Sequence, residues 1–88
     1  MKYRIVIRHQ AEKELGRLGH DEQKRIGRKL LQLEGEPLPA GVKALQGRQG
    51  YRIRIGDYRV LYDLDEASKT VIVTSMAIDG TSIVDPIN

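Results

Sequence analysis

Cysteine, tryptophan and phenylalanine are all absent from this chain of 88 residues. Without cysteine there are no disulfides and no thiolate-held metals, which suits a reducing compartment, so a cytoplasmic location is expected. Without Trp and Phe, four tyrosines and the aliphatic residues must fill the core. No apolar run approaches the ~20 residues that span a bilayer. The opening "MKYRIVIRHQ" has no signal-peptide core either, so no membrane association is expected. Phosphate-loop, dinucleotide-binding, nucleophile-elbow and zinc-protease patterns do not occur. The two histidines, His9 and His20, lack nearby acids at ligand spacing, so neither metal nor cofactor is expected. They read as capping or surface residues. There is no repeat, linker or low-complexity run, and residues 1–88 are read as one domain.

What the chain does have is positive charge, unevenly placed. Residues 1–59 carry a net +7 and residues 60–88 a net −4, giving +3 overall. A basic segment of this kind points to a polyanionic partner or to a solvated basic surface.

Hydrophobic spacing sets the element order. Residues 3–8, "YRIVIR", alternate as a strand, with Tyr3, Ile5 and Ile7 on one face. Ala11, Leu15 and Leu18 recur at helical spacing, with Gly19 as a stop. A second helix runs through "DEQKRIGRKLLQLEGE", capped by His20 or Asp21, with Ile26, Leu30 and Leu33 as its buried stripe and Leu31 beside them. Gly27 is disfavoured inside a helix, and close packing of the first helix would account for it. Residues 35–41 form a proline-rich breaker, and 42–47 are compatible with a short strand. Strands over 51–55 and 58–64 flank Gly56–Asp57, the pattern of a tight hairpin. Residues 68–78 form a last β-branched strand, and "DGTSIVDPIN" is read as irregular. The expected fold is therefore α+β, a helix pair on one face of a mostly antiparallel sheet of about four strands after the N-terminal one.

The hairpin carries the functional signal. If Gly56–Asp57 is the turn, Tyr51, Ile53, Ile55, Tyr58, Val60 and Tyr62 share the core face. Arg52, Arg54, Arg59, Leu61 and Asp63 share the other. Arg54 then lies directly opposite Arg59, with Cβ atoms about 5 Å apart, and Arg52 roughly 7 Å along the strand. Like charges placed opposite each other destabilise a sheet. The arrangement makes sense if an anion visits, because guanidinium forks bind phosphate bidentately. Proton-transfer candidates are Tyr51, Tyr58, Lys43, Asp57 and Asp63. Of these, Tyr51 and Tyr58 read as core, Asp63 as a salt-bridge partner of Arg52, and Lys43 as a solvated edge lysine.

The block "KALQGRQGYRIRIGDYRVLYDLD" and the opening "YRIVIRHQAEKELGRL" resemble the RelE/ParE superfamily, the toxins of type II toxin–antitoxin systems. The resemblance spans nearly the whole chain. It implies a RelE-like fold and, for RelE-like members, ribosome-dependent cleavage of mRNA without metal: a ribose 2′-hydroxyl attacks the adjacent phosphate. It also implies that Arg52, Arg54 and Arg59 hold that phosphate as the catalytic residues. The implied partners are the ribosome, mRNA and a small, acidic, partly disordered antitoxin that would form a toxin–antitoxin hetero-oligomer with the chain. The chain departs from the family pattern after the last strand. Active RelE-like members usually carry an Arg and a Tyr or His there, and no Arg, Lys, His or Tyr follows Lys69. That departure leaves two further readings open, a ParE-like inhibitor of DNA gyrase and a non-catalytic binder of RNA or antitoxin.

Overall fold

The computed structural model describes residues 2–78. The element order is β1 (Arg4–Ile7), α1 (His9–Gly16), α2 (His20–Gly35), β2 (Lys43–Ala44), β3 (Tyr51–Ile55), β4 (Tyr58–Asp65) and β5 (Thr70–Ile78). The strands form one sheet in the order β1-β5-β4-β3-β2. β1 runs parallel to β5, and every other neighbouring pair is antiparallel. This is the α+β arrangement the spacing predicts, with the helices on one face of the sheet.

The core lies between that face and the helix hairpin. Ala11 of α1 and Ile26, Leu30 and Leu33 of α2 pack on Ile53, Ile55, Val60, Tyr62, Val71, Val73 and Met76. Fully burying an aliphatic side chain of this size contributes about 1.5–3 kcal/mol. Tyr62 takes the place of the missing Phe and Trp. It is almost wholly buried, and its hydroxyl donates to the Pro37 carbonyl at 2.6 Å, tying the proline loop to the sheet. Burial, and after it the neighbouring Tyr51, pushes the Tyr62 hydroxyl up to about 12.

The helix hairpin departs from the sequence-based expectations at several points. α1 ends at Gly16 rather than reaching Gly19. The backbone N–H groups of Arg17 and Leu18 close its last turn on Glu14 O and Leu15 O, and the Gln23 side-chain amide donates to Leu15 O (3.2 Å) and to Leu18 O (3.0 Å) in the loop beyond. The cap of α2 is Gly19, one residue earlier than expected, and His20 is already helical. A Cβ at position 19 would stand 2.7 Å from Glu22 Oε1, so glycine leaves room for that carboxylate to fold back over the helix start. Gly27 does not serve close helix packing. A Cβ there would meet nothing within 4 Å. It borders an open apolar groove of about 380 Å³ lined by Ile5, Ile7, Leu15, Leu30 and Leu31. Leu31 is 63% exposed and stands outside the core.

Sheet edges explain two further details. β2 is only two residues long, because the chain turns back over residues 46–49 with Gly47 and Gly50 at positive φ (76° and 121°). The Leu45 N–H bonds to Gly50 O at 3.0 Å to close that turn. β1 covers β5 only from Thr70 to Val73. Beyond it, Glu14 of α1 accepts a hydrogen bond from the Met76 backbone N–H at 2.7 Å, standing in for the missing strand.

Candidate functional site

The β3–β4 register places Tyr51 opposite Tyr62, Arg52 opposite Leu61, Ile53 opposite Val60, Arg54 opposite Arg59 and Ile55 opposite Tyr58. Gly56, at φ 62°, makes the tight reversal, a conformation that costs glycine little and other residues more. Alternation then sends Arg52, Arg54 and Arg59 to the face away from the helices. Arg52 and Arg54 are exposed and Arg59 is half-buried. The Arg54 Nε donates to Gly56 O at 3.3 Å, so this side chain leans toward the turn.

β2 adds a residue that sequence reasoning set aside. Lys43 pairs directly opposite Arg52 on the same face. With Gly41, Arg52, Arg54 and Arg59 it lines a shallow cavity of about 230 Å³. The signal was present in the alternation of "VKALQ" beside "YRIRI". It went unread because β2 is two residues long and its register depends on the turn that follows. Among the described residues, the charged groups lining the cavity are cations. Guanidinium groups hold their charge at any working pH and bind phosphate oxygens in pairs, whereas an ammonium can give up a proton. The cavity can therefore hold a phosphodiester and counter negative charge developing on it.

The other proton-transfer candidates fall elsewhere. Asp63 does not pair with Arg52; among the described residues the ion pair is that of Lys69 with Glu66, at 3.5 Å. Asp63 turns instead to the space over Gly50, where a Cβ would stand 2.7 Å from its Oδ1. There it lines a small pocket with Gln49, Tyr51 and Leu64. Glycine at position 50 lets that carboxylate lie away from the arginines. Tyr51 and Tyr58 are half-buried against the core, and the Tyr51 ring lies 5.8 Å from that of Tyr62. Asp57 is exposed at the hairpin tip, and His9 and His20 are exposed first residues of their helices. Among the described residues no cluster of His, Asp or Glu could hold a metal ion. The residues aligned with the family's C-terminal Arg and Tyr element, and the irregular reading of 79–88, lie outside the described part of the chain.

At the opposite end of the sheet, the Tyr3 hydroxyl donates to Glu66 Oε1 at 2.6 Å, and Lys69 Nζ sits 5.3 Å from the Tyr3 ring centroid. The hydrogen bond to Glu66 raises the Tyr3 hydroxyl above its ordinary value. This exposed cluster closes the β4–β5 turn and has no part in the cavity.

A short helix hairpin on one face of a sheet is the fold of known RelE toxins, and their structures match this one closely. The archaeal RelE–RelB complex from Pyrococcus horikoshii matches with TM-score 0.81 and 32% identity, over 91% of this chain and 98% of that one. A mutant of the Escherichia coli toxin RelE in the free state matches with TM-score 0.78 and 25% identity, over 98% and 93%. The toxin–antitoxin complex RelBE2 from Mycobacterium tuberculosis, at 23% identity over 89% and 99%, shares the fold with TM-score 0.81. Residues 5–74 match the family described as the ParE toxin of the type II toxin–antitoxin system parDE. No curated protein sequence matches the chain significantly. The chain belongs to the ParE toxin family within the RelE/ParE superfamily, and it is a toxin of a type II toxin–antitoxin system with a RelE-like fold. Among the described residues no helix is long and apolar enough to cross a membrane.

Proposed function

We propose that this toxin is an mRNA endoribonuclease acting on translating ribosomes in the cytoplasm. The observation that carries the reading is the convergence of Lys43, Arg52, Arg54 and Arg59 on one cavity. In the reaction a ribose 2′-oxygen attacks the adjacent phosphorus as its proton leaves. The bond from phosphorus to the 5′-oxygen of the next nucleotide breaks, and that oxygen takes up a proton. The products are a 2′,3′-cyclic phosphate and a 5′-hydroxyl. The three arginines hold the phosphate and oppose the charge that builds on its oxygens. Losing one such charge-assisted contact is expected to cost roughly 10- to 150-fold in rate. Lys43 adds a further positive charge beside the arginines.

A cognate antitoxin is the expected partner. Several of the matched structures are toxins in complex with an antitoxin, including those from Pyrococcus horikoshii and Escherichia coli. An acidic antitoxin segment would be drawn to the basic face and would exclude substrate from it. The ribosome and mRNA rest on the reading itself.

A ParE-like reading, inhibition of DNA gyrase by binding, draws on two observations. The family match is to ParE, and no Arg, Lys, His or Tyr follows Lys69. One experiment separates the two. Antitoxin-free protein is added in parallel to a translation reaction programmed with a defined mRNA and to a gyrase supercoiling reaction. The endoribonuclease reading expects mRNA cut only where ribosomes are present, and supercoiling left intact. Blocked supercoiling with uncut mRNA would replace it with the gyrase reading.

A further inference from the structure

A second basic groove lies beside the cavity, on the other side of the hairpin turn. It has a volume of about 370 Å³ and is lined by Arg25, Arg28, Lys29 and Gln32 of α2 together with Arg54, Ile55 and Gly56. The four α2 residues stand at i, i+3, i+4 and i+7, one continuous stripe of the helix surface. That stripe holds three cations and no acid, and like charges at these spacings weaken a helix rather than support it.

Arg25 shows where the stripe is directed. Asp21 and Glu22 lie one turn before it, at spacings that favour ion pairs. Among the described residues neither forms one with Arg25. The guanidinium instead lies against the hairpin turn, where a Cβ on Gly56 would stand 2.5 Å from Arg25 Nη1. Glycine at position 56 therefore serves two ends, the positive φ of the turn and the space that seats Arg25. Arg54 belongs to both the groove and the cavity, and its Nε is held to the turn by Gly56 O. The basic surface thus runs from Lys43 and Arg52, over the turn, to α2.

We infer that the α2 groove is a second phosphate subsite, taking a neighbouring backbone phosphate of the same single RNA strand whose scissile phosphate sits in the cavity. This inference rests on the endoribonuclease reading. The groove positions and does not cut. Its contacts are to backbone phosphate, so they carry no sequence preference and depend strongly on salt. Arg25, Arg28 and Lys29 are binding residues here, separate from the reacting atoms.

The test uses R25Q/R28Q/K29Q, which keeps helix-forming side chains and relieves repulsion along the stripe, so the helix should persist by circular dichroism. The probe is a 12-nucleotide 2′-O-methyl RNA, which binds without being cut, followed by fluorescence anisotropy across a salt series. Each phosphate contact on a single strand contributes about 0.7 to the slope of log affinity against log salt. The variant should lose roughly 1–2 from that slope and bind about tenfold or more weakly at low salt. In mRNA cleavage on ribosomes its loss should fall on KM, whereas R52Q should lose kcat. Unchanged slope and affinity in the triple variant, with R52Q impaired, would overturn the subsite and leave the endoribonuclease reading standing. Wild-type protein that neither binds the oligonucleotide nor cuts mRNA would remove both. RNA binding intact but antitoxin binding weakened would assign the groove to the protein partner and overturn the inference.

Discussion

Removing the charge of Arg52 from the cavity should make the protein more stable and less active. Arg52 is the informative position because it lies directly opposite Lys43 across the β2–β3 pair. Side chains in such pairs leave Cβ about 4.5–5.5 Å apart. Unit charges 4 Å apart in water repel by about 1 kcal/mol, and two long exposed side chains can splay, so the repulsion is on the order of 0.5 kcal/mol. Arg52→Gln keeps most of the length and removes the charge. It should raise unfolding stability by about 0.5 kcal/mol, or roughly 2–4 °C in Tm for a domain of this size. The gain should vanish near 1 M salt, where the screening length falls to about 3 Å. Lys43→Gln should give a similar gain, and the double variant little more than either alone, because one repulsion is removed only once. Activity should move the other way. A charge-assisted contact to a phosphate contributes about 1.5–3 kcal/mol, so cleavage by Arg52→Gln should fall roughly 10- to 150-fold. Thermal melts at low and high salt, paired with cleavage rates, read both effects. An Arg52→Gln protein that is less stable, or that cuts as fast as wild type, would refute the claim that the opposed Lys43–Arg52 pair is kept for substrate at a cost in stability.

Other parts of the fold give independent checks. Gly27→Ala places a methyl in open space inside α2, so urea unfolding should show a gain of up to about 1 kcal/mol. Glu14→Ala leaves the Met76 N–H without its acceptor and should cost about 1–3 kcal/mol, with Glu14→Gln losing less. Tyr62 supplies a pH dependence: its hydroxyl is held protonated to about 12 in the folded chain, while in the unfolded chain it ionises near 10. Its contribution is complete below about pH 10 and declines as pH rises toward 12. The stability advantage of wild type over Tyr62→Phe should therefore shrink across that window, as read by chemical denaturation at each pH. An advantage that grew with pH would contradict the assignment.

Local patterns carried the hairpin. Two alternating runs around Gly56–Asp57 fix both register and face, so the cross-strand placement of Arg54 and Arg59 and the core role of Ile53, Ile55, Val60 and Tyr62 were legible in the chain. The buried stripe Ile26, Leu30, Leu33 was legible for the same reason, its period being local. What was not legible depends on contacts between distant segments. The parallel pairing of β1 with β5 joins strands more than 60 residues apart, and β1 alone does not say which edge it takes. Lys43 joins the cavity only because a six-residue turn closed by Leu45 and Gly50 returns β2 alongside β3. Asp63 shares a face with Arg52 by alternation, yet the bare backbone at Gly50 gives it another place to go. Arg25 reached the hairpin through the packing of α2 over the sheet, which no pattern within α2 discloses.

The central claim is that this basic cavity binds a phosphodiester in order to break it. The direct measurement is primer extension and end-group analysis of a defined mRNA after incubation with antitoxin-free toxin on translating ribosomes, with Arg52→Gln alongside. The account predicts cuts that need the ribosome, carry 2′,3′-cyclic phosphate and 5′-hydroxyl ends, and fade at least tenfold in the variant. Intact mRNA with wild-type toxin, or equal cutting by the variant, would contradict it.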